Sequence, residues 1–206
     1  TYHFEIVAGE SARGIMALLP ARMRDLASMA RLDRPIGWWL LFWPGAWAIA
    51  LSGNGLEQWR LILWFLAGSI VMRGAGCVWN DIIDRDLDKK VARTASRPVA
   101  SGRVSVALAA AWMGALCLVG LVVLFQLHWQ AQFTALASLA LVAAYPFMKR
   151  ITWWPQAFLG LTFNFGALMG WTAVTGGSFE FGTILIYAGA FFWTLGYDTI
   201  YAHQDR

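Results

Sequence analysis

Apolar residues run along the chain in six long blocks, roughly 36–53, 60–79, 104–125, 131–148, 155–175 and 181–201. Each approaches the ~20 residues a helix needs to cross a bilayer. The pattern therefore predicts an all-α, polytopic transmembrane bundle of six spans, preceded by a segment over 1–34 that lacks such a block. Connections between the blocks are short except from Asp81 to Arg103, which is also the most charged stretch. Pro35, Pro146 and Pro155 mark span ends, and Pro44 predicts a kink inside the first span. Gly166 and Gly170 form a GxxxG pattern in the fifth span, which reads as close helix packing. Trp38, Trp39, Trp59, Trp79, Trp129, Trp153 and Trp154 lie near span ends, as interfacial belts would.

Composition agrees. Of 206 residues, 59% are hydrophobic and only 14% are charged, against about 25% charged in ordinary soluble domains. The two cysteines, Cys77 and Cys117, sit in separate apolar runs with no metal-ligand spacing, so they read as small hydrophobes. No cleavable signal peptide is evident in the first 34 residues. The chain opens on Thr1 and stops after Asp205 and Arg206, just past an apolar run; a fragment is expected.

Six alternating spans put the N-terminus, the 81–103 loop, the 148–154 loop and the C-terminus on one face. That face carries almost all the basic residues of the chain, and the opposite face carries only Arg60. The positive-inside bias assigns the basic face to the cytoplasm. It also accounts for the net charge of +4 without nucleic acid, because these basic residues are interleaved with membrane spans. Arg73 lies inside the second span, where a charge is costly unless it meets a polar cavity or a partner.

The second span ends in Asn80-Asp81-Ile82-Ile83-Asp84-Arg85-Asp86-Leu87-Asp88. Asp81, Asp84 and Asp88 follow i, i+3, i+7 and stack along one helix face, with Asn80 four residues before Asp84. At the end of the sixth span, Asp198, Tyr201 and Asp205 repeat that spacing. Both stripes lie at the same ends of even-numbered spans and are expected to face one another across a cavity. Like charges on one helix face repel by a few tenths of a kcal/mol per exposed pair. An ionised group near lipid costs on the order of 3 kcal/mol. A cation relieves both penalties, and oxygen-only ligands suit magnesium, which binds through one or two carboxylates plus substrate phosphates. Lys89, Lys90, Arg93 and Arg97 follow the first stripe and Lys149 and Arg150 follow the fourth span; guanidinium groups match phosphate oxygens two at a time. Acid, magnesium and base together describe a site for an organic diphosphate.

The run Asn80-Asp81-xx-Asp84-xxx-Asp88 resembles the first aspartate-rich motif of the UbiA prenyltransferase superfamily. More narrowly, the chain resembles 4-hydroxybenzoate polyprenyltransferases in five stretches that keep the family's order: 31–37, Met72 to Cys77 running on to Asn80, 93–98, 145–150 and 196–202. The likeness covers about residue 26 to the end, so 35–206 is expected to form the prenyltransferase domain. Family members have about nine spans, so a truncated form is expected, lacking C-terminal spans that help to wall the lipid channel. The resemblance implies Mg2+-dependent transfer of a polyprenyl group from polyprenyl diphosphate to the ring carbon beside the hydroxyl of 4-hydroxybenzoate. That is a step of ubiquinone biosynthesis in a membrane, taken as the bacterial cell inner membrane. It implies that Asn80, Asp81, Asp84 and Asp88 hold one magnesium ion and Asp198 and Asp205 a second. Arg93, Arg97 and Lys149 would neutralise the diphosphate. Arg73 and Arg34 are candidates for the substrate carboxylate, and Tyr201 for orienting either substrate.

Two other classes compete. A transporter or channel would put cation-binding acids near the bilayer midplane, whereas these lie at span ends. Other lipid-diphosphate enzymes include phosphatidyl-alcohol transferases, whose longer acidic motif is missing, and the soluble isoprenyl synthases, which the apolar runs exclude. Naphthoate, homogentisate and haem-farnesylating members of the same superfamily also remain open.

Overall fold

A computed structural model of the chain describes residues 16, 18–54, 57–177 and 179–203. Every regular element among them is helical. They are α1 (Ala21–Met29), α2 (Ile36–Ile49), α3 (Trp59–Ile83), α4 (Arg85–Asp88), α5 (Val106–Leu124), α6 (Trp129–Ile151), α7 (Pro155–Phe163), α8 (Phe165–Thr175) and α9 (Phe181–Ala202).

Helices occupy all six apolar blocks. Four of them, Trp59–Ile83, Val106–Leu124, Trp129–Met148 and the combined Pro155–Thr175, are long and apolar enough to cross a membrane. Ile36–Ser52 is shorter, and α9 has 22 residues. Leu118, Val122, Phe133, Phe181 and Phe192 turn outward on this bundle, a surface that suits lipid and not water. The chain is an integral membrane protein.

Three apolar clusters hold the helices together. Met29, Ala30, Ala75, Val78, Val99, Val104, Ala109 and Leu116 join α1, α3, α5 and the loop between α4 and α5. Phe42, Ala46, Ile49, Leu61, Phe65, Leu127 and Ala131 join α2, α3 and α6. Ala48, Ala167 and Trp171 close α2 against α8. The main helix pairs are α3 with α5, α2 with α8, α9 with α7, and α6 with α8. At 1.5 Å per residue the 25 residues of α3 extend about 37 Å, longer than a hydrocarbon core of roughly 30 Å. Its polar last turn can therefore reach the interface while the rest stays in lipid.

Local sequence explains most boundaries. Ser105 caps α5 by accepting a hydrogen bond from the Leu108 amide. Gly176 ends α8 in the left-handed conformation at φ 58°. The α2 helix runs unbroken through Pro44 to Ile49 and then widens into a π turn over Ala50–Asn54. Pro146 does not end its span, because α6 continues past it to Ile151. Cys77 is buried as expected, but Cys117 is exposed on the outside of α5.

The fifth span is not continuous. It breaks at Asn164, which separates α7 from α8. The Asn164 side-chain amide donates to the Gly160 carbonyl at 2.7 Å and to Thr194 Oγ1 on α9 at 2.9 Å. The side chain thus takes the carbonyl that the Asn164 backbone amide reaches at only 3.4 Å. Asn164→Ala is expected to lower stability by about 0.5–1.5 kcal/mol, the range of interhelical hydrogen bonds in membranes. Thermal inactivation of the detergent-solubilised protein measures it; an unchanged profile would mean that the α7–α9 bond contributes nothing.

Candidate active site

The acidic stripe ends α3 and continues through α4. The amides of Asp84 and Asp88 donate to the Asn80 and Asp84 carbonyls at 2.9 and 2.8 Å, so helical register survives the junction and the spacing read from sequence holds in space. Asp81, Asp84 and Asp88 are all buried. Asp86, out of register with them, points to solvent with its side chain 69% exposed and pairs with Lys89 at 3.0 Å and Arg85 at 3.4 Å. The hydrogen bond from the Lys89 ammonium, helped by Arg85, holds the Asp86 carboxyl below its ordinary range. About two turns of chain thus carry three inward acids and one solvated acid.

Two arginines meet the inward acids. Arg31 Nη2 donates to both oxygens of Asp81, at 2.8 and 3.1 Å. Arg97 Nη1 donates to Asp81 Oδ1 at 3.2 Å and to Asp88 Oδ2 at 2.8 Å. The loop that carries Arg97 is tied down on both sides. Thr94 Oγ1 donates to the Asp88 carbonyl at 3.0 Å. Arg103 reaches Asp25 of α1 at 3.2 Å and the Ser96 carbonyl at 3.0 Å.

Arg73 lies seven residues before Asn80, on the same face of α3. Its guanidinium stands 5.0 Å from the centre of the Phe163 ring, within cation–π range. On its other side is Gly37, where a Cβ would come within 2.9 Å of Nε. That buried Nε has no hydrogen-bond partner. The Tyr145 hydroxyl of α6 interacts electrostatically with Asp198 of α9, with Arg73 and Asp84 of α3, and with Tyr197. Groups from two helices therefore bear on the half-buried phenol of a third.

The other expected residues are distributed unevenly. Asp198 is half-buried, whereas Tyr201 on the same stripe is 52% exposed. Arg34 is largely exposed and lies 3.6 Å from Asp33; Arg93 is exposed. Asn80 is half-buried on α3. Lys149 falls within α6, but its side chain lies outside the described residues, as does Asp205. Sequence reasoning did not single out Tyr145, Phe163, Gly37 or Arg31 as site residues. For Tyr145 the signal was a hydroxyl inside an apolar span, which needs a partner when buried. For Arg31 no local signal exists, because its partner is 50 residues away.

Among the described residues, no three acidic, histidine or cysteine side chains converge closely enough to hold a metal ion as they stand. The donor chemistry still fits a hard cation. Asn80, Asp84, Asp88 and Asp198 offer oxygen only, and Asp84 and Asp198 act on the same hydroxyl from different helices.

The model of the UbiA prenyltransferase family matches residues 41–206. A mitochondrial 4-hydroxybenzoate polyprenyltransferase of Arabidopsis thaliana is 46% identical over 202 residues, 97% of this chain and 50% of that protein. One from Aedes aegypti is 51% identical over 183 residues, 87% of this chain and 41% of that protein. The chain spans about half the length of the curated relatives it matches. Among solved structures, a UbiA homolog from Aeropyrum pernix K1 superposes with a TM-score of 0.64 at 27% identity, covering 81% of this chain and 63% of that one. A digeranylgeranylglyceryl phosphate synthase shares the fold, with a TM-score of 0.66 at 18% identity, over 89% of this chain and 63% of that one.

Proposed function

Since the chain belongs to the UbiA prenyltransferase family, we propose that it carries the site of a 4-hydroxybenzoate polyprenyltransferase. The reaction moves a polyprenyl group from polyprenyl diphosphate to the ring carbon ortho to the hydroxyl of 4-hydroxybenzoate, on the way to ubiquinone. The reading is supported by the names of the relatives. One observation carries it: the acids Asp81, Asp84 and Asp88 are buried together at the end of α3, with Arg31 and Arg97 donating to them.

Magnesium, when bound, would polarise the diphosphate oxygens and ease their departure. Asp84 and Asp88 with Asn80 would hold one ion, and Asp198 with Asp205 another. Arg97, Arg93 and Lys149 match the remaining negative charge of the diphosphate. The allylic C–O bond breaks, its electron pair leaves with the diphosphate, and the positive charge spreads over the allyl unit. The apolar walls keep water from capturing that cation as a free alcohol. The electron-rich carbon beside the phenol oxygen then forms the new C–C bond and loses its proton. Arg73, braced between Phe163 and Gly37 with Nε unpaired, suits the carboxylate of the aromatic acid. Arg34 is the weaker candidate because it is largely exposed. Tyr201, 52% exposed near the end of α9, would orient either substrate. The acidic ends would face the cytoplasm in a bacterial inner membrane, or the matrix in its mitochondrial counterpart.

Membranes carrying the protein, given 4-hydroxybenzoate and a prenyl diphosphate, are expected to form the prenylated acid, to lose that activity in EDTA and to regain it with magnesium. Full turnover in EDTA would remove the metal assignment, and no product with any chain length would remove the reading itself.

A further inference from the structure

We propose that Asp81, although it belongs to the acidic stripe, is not a metal ligand but a positioning residue: a permanent counter-ion that fixes Arg31 and aims Arg97 at the diphosphate site. This departs from the sequence expectation and rests on the functional reading above.

Asp81 is the most deeply buried acid of the stripe, 1% exposed. Both of its oxygens are taken up by guanidinium donors, Oδ1 by two of them. A divalent cation approaching this carboxylate would stand beside two positive charges. Arg31 is not free to swing away. Its Nη1 donates to the Ser28 carbonyl at 2.8 Å, and its backbone adopts φ 55°, among the described residues the only non-glycine at positive φ. That conformation follows α1, with the Arg31 amide on the Ser28 carbonyl and the Leu32 amide on the Ala27 carbonyl. Glycine is the usual residue at such a helix end, and an L side chain is strained there. An arginine held there against that preference is explained by its side chain, which ties α1 to the last turn of α3.

Asp88 is different. Arg97 meets it through one oxygen, Oδ2. These contacts use a single Arg97 nitrogen, out of five N–H donors on the fork. Asp81, Asp88, Arg31 and Arg97 sum to zero charge. Such a set carries no net charge, so the charge demand for a cation falls on Asp84 and Asp198, while Asp88 still offers Oδ1 as a neutralised ligand. Arg97 is left as a pre-aimed phosphate donor.

The test compares Asp81→Asn with Asp84→Asn in the purified protein, reading Mn2+ binding by the loss of the free-ion paramagnetic resonance signal. Asp81→Asn is expected to hold Mn2+ more tightly than Asp84→Asn does, because its effect passes only through the Arg97 that it shares with Asp88. Asp84→Asn is expected to weaken it by about tenfold or more. In turnover, Asp81→Asn should raise KM for prenyl diphosphate by about tenfold, with the magnesium requirement unmoved, because Arg97 loses its aim. A loss of Mn2+ binding in Asp81→Asn equal to that in Asp84→Asn would overturn the proposal. If Asp81→Asn does not fold, Arg31→Gln/Asp81→Asn, which leaves no charge unpaired, carries the same comparison with the same two outcomes. Failure of the functional reading would look different: Asp84→Asn would bind Mn2+ normally and the parent would make no product.

Discussion

Asp84→Asn is expected to reduce prenyl transfer by about 10²–10³-fold, the scale of losing one preorganised electrostatic group at a reacting centre, while the protein remains folded. Asp84 joins α3 to α4, is 7% exposed, and is the first-stripe acid that acts electrostatically on Tyr145 along with Asp198. Asparagine keeps the shape and one carbonyl oxygen, so packing survives. It removes the negative charge that a cation would need. The loss should appear mainly in kcat and in a raised magnesium requirement, with KM for 4-hydroxybenzoate little changed. Asp86→Asn is the control two residues away. Asp86 is solvent-facing and paired with Lys89 and Arg85, so its loss should change turnover by less than about twofold, as for an exposed pair. Turnover at the parental rate for Asp84→Asn in ordinary magnesium would end the metal assignment for the first stripe.

The contrast between Asp84 and Asp86 also shows what a sequence can reveal. Helical periodicity separates the inward acids from the outward one without coordinates, because i, i+3 and i+7 share a face whatever the fold. The apolar blocks were equally legible, since span length is set by bilayer thickness and not by tertiary contacts. The break at Asn164 was not. Its cause is a side chain that competes with its own backbone amide for the Gly160 carbonyl and also reaches Thr194, 30 residues on, and nothing local distinguishes it from a polar residue tolerated in a span. Pro146 misled for a related reason. A proline near the last turn removes one hydrogen bond that neighbouring packing can replace, so α6 runs on to Ile151. The clasp of Arg31 and Arg97 on Asp81 was hidden because ion pairs across 50 and 16 residues leave no periodic trace. The residue types suggested ligands for a metal; only their spatial pairing shows that one carboxylate already has its cations. Arg34 and Tyr201 fit by type and spacing, but each lies largely or half outside the bundle.

Gly170→Val is expected to cause the largest loss of stability of any single change considered for the bundle. The GxxxG pattern of the fifth span does become a helix contact, and the helix it meets is α2. A Cβ on Gly170 would run into the Gly45 carbonyl, and one on Gly166 would lie 3.3 Å from the Leu41 carbonyl. Small residues let two backbones approach where no water-driven force brings helices together, so the gain is dispersion that a side chain would forfeit. The obstacle at Gly170 is main chain, which cannot rotate aside. At Gly120, by contrast, a Cβ would meet the flexible Met72 thioether, which can move. Overpacking typically costs about 1–3 kcal/mol; valine at Gly170 should reach the upper end or prevent assembly, and Gly166→Ala should cost less. The consequence reaches the site. The α8 helix packs on α6, which carries Tyr145, and α2 carries Gly37 against Arg73. Separating α2 from α8 would therefore loosen both Tyr145 and Arg73. Monodisperse yield and inactivation temperature in detergent should fall in the order parent, Gly166→Ala, Gly170→Ala, Gly170→Val. Equal behaviour of the parent and Gly170→Val would mean that α2 and α8 do not cross at these glycines.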